Sequence, residues 1–371
     1  MSHSMKHTLL TGLLFLFLFS CTTKKTGSDG GTVTGFRYAR LVSLERRTGY
    51  KELIVKNPKT LKVESRYALF PRNSKMKRPD KLPVIEVPVR NMAALSTSFI
   101  GMLDAINSVE VVKATTEEQY IFNKQVLKNI RAGKVITTGY ETGLTPESVL
   151  KADISLIVFS GFGQPFPNEE KLARLGVVCL ANYDWEEKHP LGKAEWIKVF
   201  GALTGKEQEA EAYFESVVKS YLALKEQLEH TNSKQLPKEV LCGGMAGDVW
   251  YAPAGKSFMA GIMKDAGLNY VYRKTSGTAS ISLTLEQVFK DEQACDIWIN
   301  AEAPTLEKLF ALNPKFRYFH TVKSGKVYGY MHNPNYFWEC SPVNPNWLLE
   351  DFIHIGKGDG HSKLHFYKQL K

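Results

Sequence analysis

The sequence is poor in the residues that build metal and redox centres. Its 371 residues include five cysteines and nine histidines. No C-x-x-C pair and no Cys/His spacing suited to zinc occurs. The histidines are scattered, and His354, His361 and His365 lie at the tail; neither a resident metal nor a cofactor is expected. Cys179 and Cys242 sit in strand-like apolar runs, and Cys295 opens another. With Cys340 they read as small buried hydrophobes rather than a disulfide framework. Catalytic signatures are missing as well. There is no H-E-x-x-H, no G-x-S-x-G, no G-x-x-x-x-G-K-[ST], and no G-x-G-x-x-G between a strand and a helix. Gly243-Gly-Met-Ala-Gly247 follows a strand-like run without that spacing. The single long apolar run, residues 9–19, falls short of the roughly 20 residues a membrane-spanning helix needs. A polytopic membrane protein is therefore excluded. Hydrophobic residues at 43% against charged residues at 23% exclude a disordered chain. The formal net charge is +10, but the basic residues form no clustered stripe, so nucleic acid is not an expected partner. Length at roughly 150 residues per domain gives two domains.

What is present begins with an address. Lys6 and His7 precede the apolar run, and Ser20-Cys21 follows it. That order predicts an export signal over residues 1–20. Leu18-Phe19-Ser20-Cys21 resembles a bacterial lipobox, in which Cys21 would be acylated; an ordinary signal peptide with a chance cysteine is the alternative. Residues 21–35, rich in Thr, Gly, Ser and Lys, read as a flexible tether. Two acyl chains suffice for stable membrane anchoring. Thr22-Thr-Lys-Lys-Thr26 lacks an acidic surface-export patch of the kind some lipoproteins carry, which favours the periplasmic side of the envelope.

Four stretches follow. Residues 36–83 read as a β-rich extension packed on the first lobe, with partly alternating runs at 51–56 and 60–67 separated by Asn57-Pro58. Residues 84–193 read as an α/β lobe. A strand is expected at 84–89, then a helix over 99–106 capped by Ser96, Thr97 or Ser98. A doubly buried strand over 155–159 ends in the Ser160–Gly163 loop, Asn168 caps a helix through Leu175, and 177–181 form the next strand. Residues 194–231 predict one long connecting helix. Ala210, Phe214, Val217, Tyr221, Leu224 and Leu228 form a single apolar stripe on it. Residues 236–355 repeat the α/β pattern, with strands at 240–243, 296–300 and 327–330, a helix capped by Ser257 and a terminal helix at 346–355. Residues 356–371 read as a polar tail.

The two α/β halves echo each other. Leu144-Thr-Pro-Glu-Ser-Val-Leu-Lys151 and Leu283-Thr-Leu-Glu-Gln-Val-Phe-Lys290 share Leu-Thr-x-Glu-x-Val-x-Lys, and each precedes a buried strand. Thr145 and Thr284 are natural N-caps, which puts Glu147 and Glu286 at the second helical position; Pro146 suits the first. A carboxylate there is stabilised by the helix dipole alone. A matched pair on two lobes also offers one partner two contacts at once.

With these residues in view, the region from about Val84 to Ile355 resembles the iron-siderophore and vitamin B12 (cobalamin) class of ABC-transporter substrate-binding lipoproteins. The resemblance rests on the lipobox, the two Thr-x-Glu helix starts and the connecting helix. It also rests on His189-Pro-Leu-Gly-Lys-Ala-Glu-Trp196, Asp265-Ala-Gly-Leu-Asn-Tyr270 and Tyr336-Phe-Trp-Glu-Cys-Ser-Pro342. It implies a class III periplasmic-binding-protein fold: two Rossmann-like lobes joined by one long helix, with ligand held between them. Here that fold carries an N-terminal β-rich extension. The resemblance also implies a monomer that performs no catalysis, is lipid-anchored on the periplasmic side, and docks Glu147 and Glu286 on an ABC permease dimer with its ATPase subunits.

Ligands of open α/β sheets sit beyond the carboxyl ends of the strands. That rule selects Ser96, Thr97, Ser98, Tyr140, the 160–164 loop and Tyr183-Asp184-Trp185 on the first lobe. On the second it selects Trp250, Tyr251, Arg273, Asn300, Tyr336, Phe337, Trp338 and Glu339. Broad aromatic walls suit a corrinoid or metal chelate, although each aromatic also fits plain core packing. Arg273 and Lys274 suit either an anionic chelate or a solvated surface. The expected function is capture of an iron-siderophore, haem or cobalamin-type ligand. The alternatives are bare metal-ion transport, an extracytoplasmic enzyme on the same scaffold, or a structural envelope lipoprotein.

Overall fold

The computed structural model describes residues 33–139, 143–230, 238–359 and 363–371. The expected signal peptide, Cys21 and most of the tether lie outside the described residues, as does Tyr140.

The N-terminal sheet contains β1 (Val33–Thr34), β2 (Val42–Arg47), β3 (Tyr50–Lys56), β4 (Val63–Pro71) and β5 (Val84–Val87), in that spatial order. The first four pair antiparallel and β5 pairs parallel to β4. This corrects the boundary expected at residue 84. The apolar run at 84–87 reads equally as a lobe strand, but its partner is β4, and the pairing Leu69↔Ile85 buries both residues in the extension's own inner face. The sheet packs on the first lobe, where the Tyr67 hydroxyl donates to the Cys179 carbonyl at 3.0 Å. The segment linking β1 to β2 is held by two buried carboxylates. Glu195 accepts the backbone N–H groups of Arg37, Tyr38 and Ala39, and Glu187 accepts those of Arg40 and Leu41.

The first lobe runs β6 (Met92–Ala94), α1 (Thr97–Ala105), β7 (Val112–Thr115), α2 (Lys124–Arg131), β8 (Ile136–Thr137), α3 (Pro146–Lys151), β9 (Leu156–Ser160), α4 (Glu169–Arg174) and β10 (Val178–Asn182). All five strands are parallel, in the order β10-β9-β6-β7-β8. Ser96 stands at the N-cap of α1 without a side-chain capping bond. Asn168 precedes α4 with φ 58° and likewise makes no cap, because its left-handed backbone turns the side chain away from the helix amides.

The connecting segment is not one helix. It is α5 (Pro190–Glu195), α6 (Ile197–Thr204) and α7 (Glu207–His230). The break between the last two falls at Gly205, whose φ of +72° ends α6 in the left-handed C-cap. Gly201 lets the two helices meet: a β-carbon there would stand 2.6 Å from that of Ala210. The stripe on α7 is inward as expected, with Ala210, Phe214, Val217 and Tyr221 buried and Leu224 and Leu228 partly so.

The second lobe contains β11 (Glu239–Cys242), β12 (Gly244–Ala246), β13 (Val249–Pro253), α8 (Phe258–Asp265), β14 (Asn269–Tyr270), β15 (Ser280–Leu283), α9 (Leu285–Asp291) and β16 (Ile297–Ala301). There follow α10 (Leu306–Leu312), α11 (His320–Lys323), β17 (Val327–Tyr330), α12 (Pro334–Cys340), α13 (Pro345–Lys357) and β18 (Tyr367–Gln369). Its main sheet has the order β14-β11-β16-β17-β18, and β12, β13 and β15 form a small antiparallel sheet. The expected polar tail is corrected here: residues 367–369 form an antiparallel edge strand on β17, and Phe366, Tyr367 and Leu370 are buried. The alternation of polar and apolar residues hides a strand whose one face is fully covered. Cys179, Cys242 and Cys295 are buried free thiols, and Cys340 is partly buried. Desolvation raises the thiol pKa of Cys179, Cys295 and Cys340 to about 12, which keeps them protonated and inert.

Candidate functional site

The parallel sheet of the first lobe aims its carboxyl ends at the second lobe. There β6 leads into Leu95, Ser96 and Thr97, β7 into Thr116 and Glu117, and β8 into Thr138 and Gly139. These turns are tied together. Thr115 Oγ1 donates to the Ala94 carbonyl at 2.9 Å, and the Thr138 N–H to the Thr115 carbonyl at 3.0 Å. Over them lies α12 of the second lobe, which contributes Asn335 and Trp338. With Tyr120 they enclose an open cavity of about 290 Å³. Trp338 and Tyr120 keep 49% and 51% of their surface exposed, so both rings are available to a ligand.

The helix that closes this cavity is docked tightly on the first lobe. The Glu339 carboxylate accepts the Phe122 N–H at 2.9 Å and the Asn123 N–H at 3.2 Å. Asn335 Nδ2 donates to the Gln119 carbonyl at 2.6 Å, and the Phe122 and Tyr336 rings lie 4.9 Å apart. Burial pushes the Glu339 carboxyl up to about 7 against those two amides, with Asp104 raising it further. A second bridge across the lobes runs from the Thr278 hydroxyl to Glu186.

Of the residues expected at a binding site, Ser96, Thr97 and Trp338 come together in this cavity. Ser98 is buried one step behind, with its Oγ 3.1 Å from that of Ser96. Trp185 lies at the ends of β9 and β10 instead, donating to the Gly161 carbonyl at 3.2 Å and packing on Phe162 at 5.2 Å. Trp250 is a correction. It has no exposed surface and packs 5.3 Å from Trp298 beside Phe316 and Phe319. Strand alternation turns it into the core and leaves Tyr251, 45% exposed, on the outer face. Phe337 is likewise core, packed against Tyr330, Phe366 and Tyr367, because α12 turns that face inward and the next residue outward. Arg273 pairs with Glu239 at 3.5 Å, at the amino end of β11, and donates to the Tyr270 carbonyl. It is not among the residues of the cavity.

Thr116, Glu117, Tyr120, Thr138, Gly139 and Asn335 were not anticipated. For Thr116, Glu117 and Tyr120 the signal lies in β7, a four-residue strand interrupted by Lys113, and for Thr138 and Gly139 in the two-residue β8, both too short to read as apolar runs. Glu147 and Glu286 stand exposed in the first turns of α3 and α9, behind capping hydroxyls of Thr145 and Thr284. The N-terminal amide of Glu147, then Thr145 and Lys171, hold the Glu147 carboxyl below its usual range. Among the described residues no three His, Cys, Asp or Glu side chains gather to hold a metal ion, and no helix is long and apolar enough to cross a membrane.

Two α/β lobes, with an aromatic-walled cavity between the strand ends of the first and α12 of the second, have the architecture of a bilobal solute-binding protein. The family model described as periplasmic binding protein matches residues 92–334, and the chain belongs to that family. The N-terminal sheet, α12 and α13 fall almost wholly outside the matched span. The chain is 26% identical to an uncharacterized lipoprotein of Methanocaldococcus jannaschii over 80% of its own length and 72% of the relative's. Its fold is similar to a periplasmic heme binding protein from Pseudomonas aeruginosa, with TM-score 0.59, 14% identity, and 76% of this chain and 98% of that one covered. It is also similar to an ABC-type Fe3+-hydroxamate transport system protein from Saccharomonospora viridis, with TM-score 0.53, 16% identity, and 73% and 94% covered. The fold is the class III periplasmic-binding-protein fold with an added N-terminal sheet.

Proposed function

We propose that the chain is the extracytoplasmic solute-binding component of an ABC importer, lipid-anchored through Cys21. It captures a metal chelate of the iron-siderophore, haem or cobalamin type between its lobes. The observation that carries this reading is the cavity at the strand ends, walled by Trp338 and Tyr120 and floored by Ser96 and Thr97. Its volume, about 290 Å³, suits the edge or one arm of a large chelate whose remainder lies in the open cleft. Phe162, packed on the half-buried Trp185, and Tyr251 are further exposed aromatics suited to the rest of such a ligand. The likeness to haem and Fe3+-hydroxamate proteins supports the ligand class. Glu147 and Glu286 are the contacts proposed for the permease, as charge-assisted bonds to its basic residues.

Calorimetric titration of the purified protein with cyanocobalamin, haemin and ferric siderophores tests the reading. The expected result is binding of one chelate at about 1 μM or tighter, weakened ~tenfold or more by Trp338→Ala. Equal affinity in that variant, or no binding of any chelate, contradicts it.

A further inference from the structure

Resting on that reading, we propose that the cavity selects its ligand by charge. It accepts the edge of a neutral or cationic chelate rich in hydrogen-bond donors, excludes anionic chelates, and uses Glu117 as the specificity-determining residue. The chain as a whole carries a formal +10, yet no lysine or arginine is among the described residues that line this cavity. Its one charged side chain is Glu117. Glu117 Oε2 accepts from Gln119 Nε2 at 2.7 Å, and Oε1 lies over Gly139, 4.0 Å from where a β-carbon would stand. Among the described residues no basic side chain pairs with it; the nearby Arg131 is engaged by Glu118 instead.

The remaining polar atoms point the same way. Asn335 commits one of its two Nδ2 hydrogens to the Gln119 carbonyl, and its Oδ1 is an acceptor. Thr116 Oγ1, a hydroxyl able to accept as well as donate, is buried with no hydrogen-bond partner among the described residues. Trp338 and Tyr120 present aromatic faces, which attract cations and flat apolar surfaces. An anionic chelate would bring like charge against Glu117 inside a partly enclosed space, with no cation to offset it. Amide or ammonium groups would instead find a carboxylate, a carboxamide oxygen and hydroxyls.

The experiment titrates the purified full-length protein with four probes: neutral cyanocobalamin, cationic ferrioxamine B, the trianion ferric enterobactin and haemin with its two carboxylates. Wild type, Glu117→Gln and Glu117→Lys are compared, and thermal melting checks that each variant folds. The expected result is that a neutral or cationic probe binds at least ~tenfold tighter than either anion, and that Glu117→Lys shifts the ratio toward the anions by ~tenfold or more. An anionic probe binding wild type as tightly as the best neutral one overturns charge selection while leaving the chelate-binding function standing. An unchanged ratio in Glu117→Lys does the same to the role of Glu117. Binding of none of the four overturns both.

Discussion

Gly101 of α1 faces the backbone carbonyl oxygen of Glu339 in α12 so closely that a β-carbon would come within 1.8 Å of it. A helix of the second lobe thereby rests directly on the first, and that helix carries Asn335 and Trp338 into the cavity. Gly101→Ala must push α12 outward. The expected cost is about 1–3 kcal/mol of stability, read by denaturant titration. It should be accompanied by weaker chelate binding, because the cavity wall moves. A variant with wild-type affinity and stability would show that α12 is not held as described.

Glu339 adds a pH dependence. Its folded-state pKa is raised to about 7 from the ordinary 4.5 by desolvation. Between those values the folded protein keeps a proton that the unfolded chain has released. The stability this contributes is full below the unfolded value and is lost as pH rises through about 7. Asp351, also raised by burial, titrates nearby in pH, so the comparison must be differential. The melting temperature of wild type should fall more steeply from about pH 5 to about pH 8 than that of Glu339→Gln. Parallel curves would remove Glu339 from the account.

The link from β1 to β2 of the N-terminal sheet depends on Glu195. Its fully buried carboxylate collects three backbone N–H groups and pairs with Lys198 at 3.2 Å. Glu195→Ala strands those three donors, at about 3 kcal/mol or more, while Lys198 keeps Glu211 and the Gly35 carbonyl. Limited proteolysis should then cut near residues 33–41 at a rate well above wild type. An unchanged digestion pattern would show that the sheet is anchored elsewhere.

Charge reversal of the two helix-start glutamates separates binding from delivery. Both are solvent-facing and outside the cavity. Glu147→Lys with Glu286→Lys should leave chelate affinity within ~twofold of wild type while abolishing uptake in cells. Normal uptake by the double variant would end the docking assignment.

Local features were legible and non-local ones were not. The Thr145 and Thr284 caps read directly from sequence, because a cap is decided within four residues, and both hydroxyls accept the expected N3 amide. The α7 stripe and the continuous apolar strands were equally plain. The sheet to which Val84 belongs is not legible locally, because its partner, Ala68, is chosen by packing rather than by pattern. For Trp250 and Phe337 a single step of pleat or helix decides between the opening and the core, and both rings lie in the core. Glu339 meets its amides 216 and 217 residues away, beyond any local signal. Glu117 became a site residue only when β7 was placed beside β6.

The central claim is that ligand binds at the strand ends of the first lobe beneath α12. Hydrogen–deuterium exchange, with and without the tightest-binding chelate, tests it most directly. The account predicts new protection at residues 95–97, 116–120 and 335–338, with the N-terminal sheet unchanged. Protection confined to the groove lined by Arg46, Leu69 and Gly205, with none at Ser96 or Trp338, would contradict it.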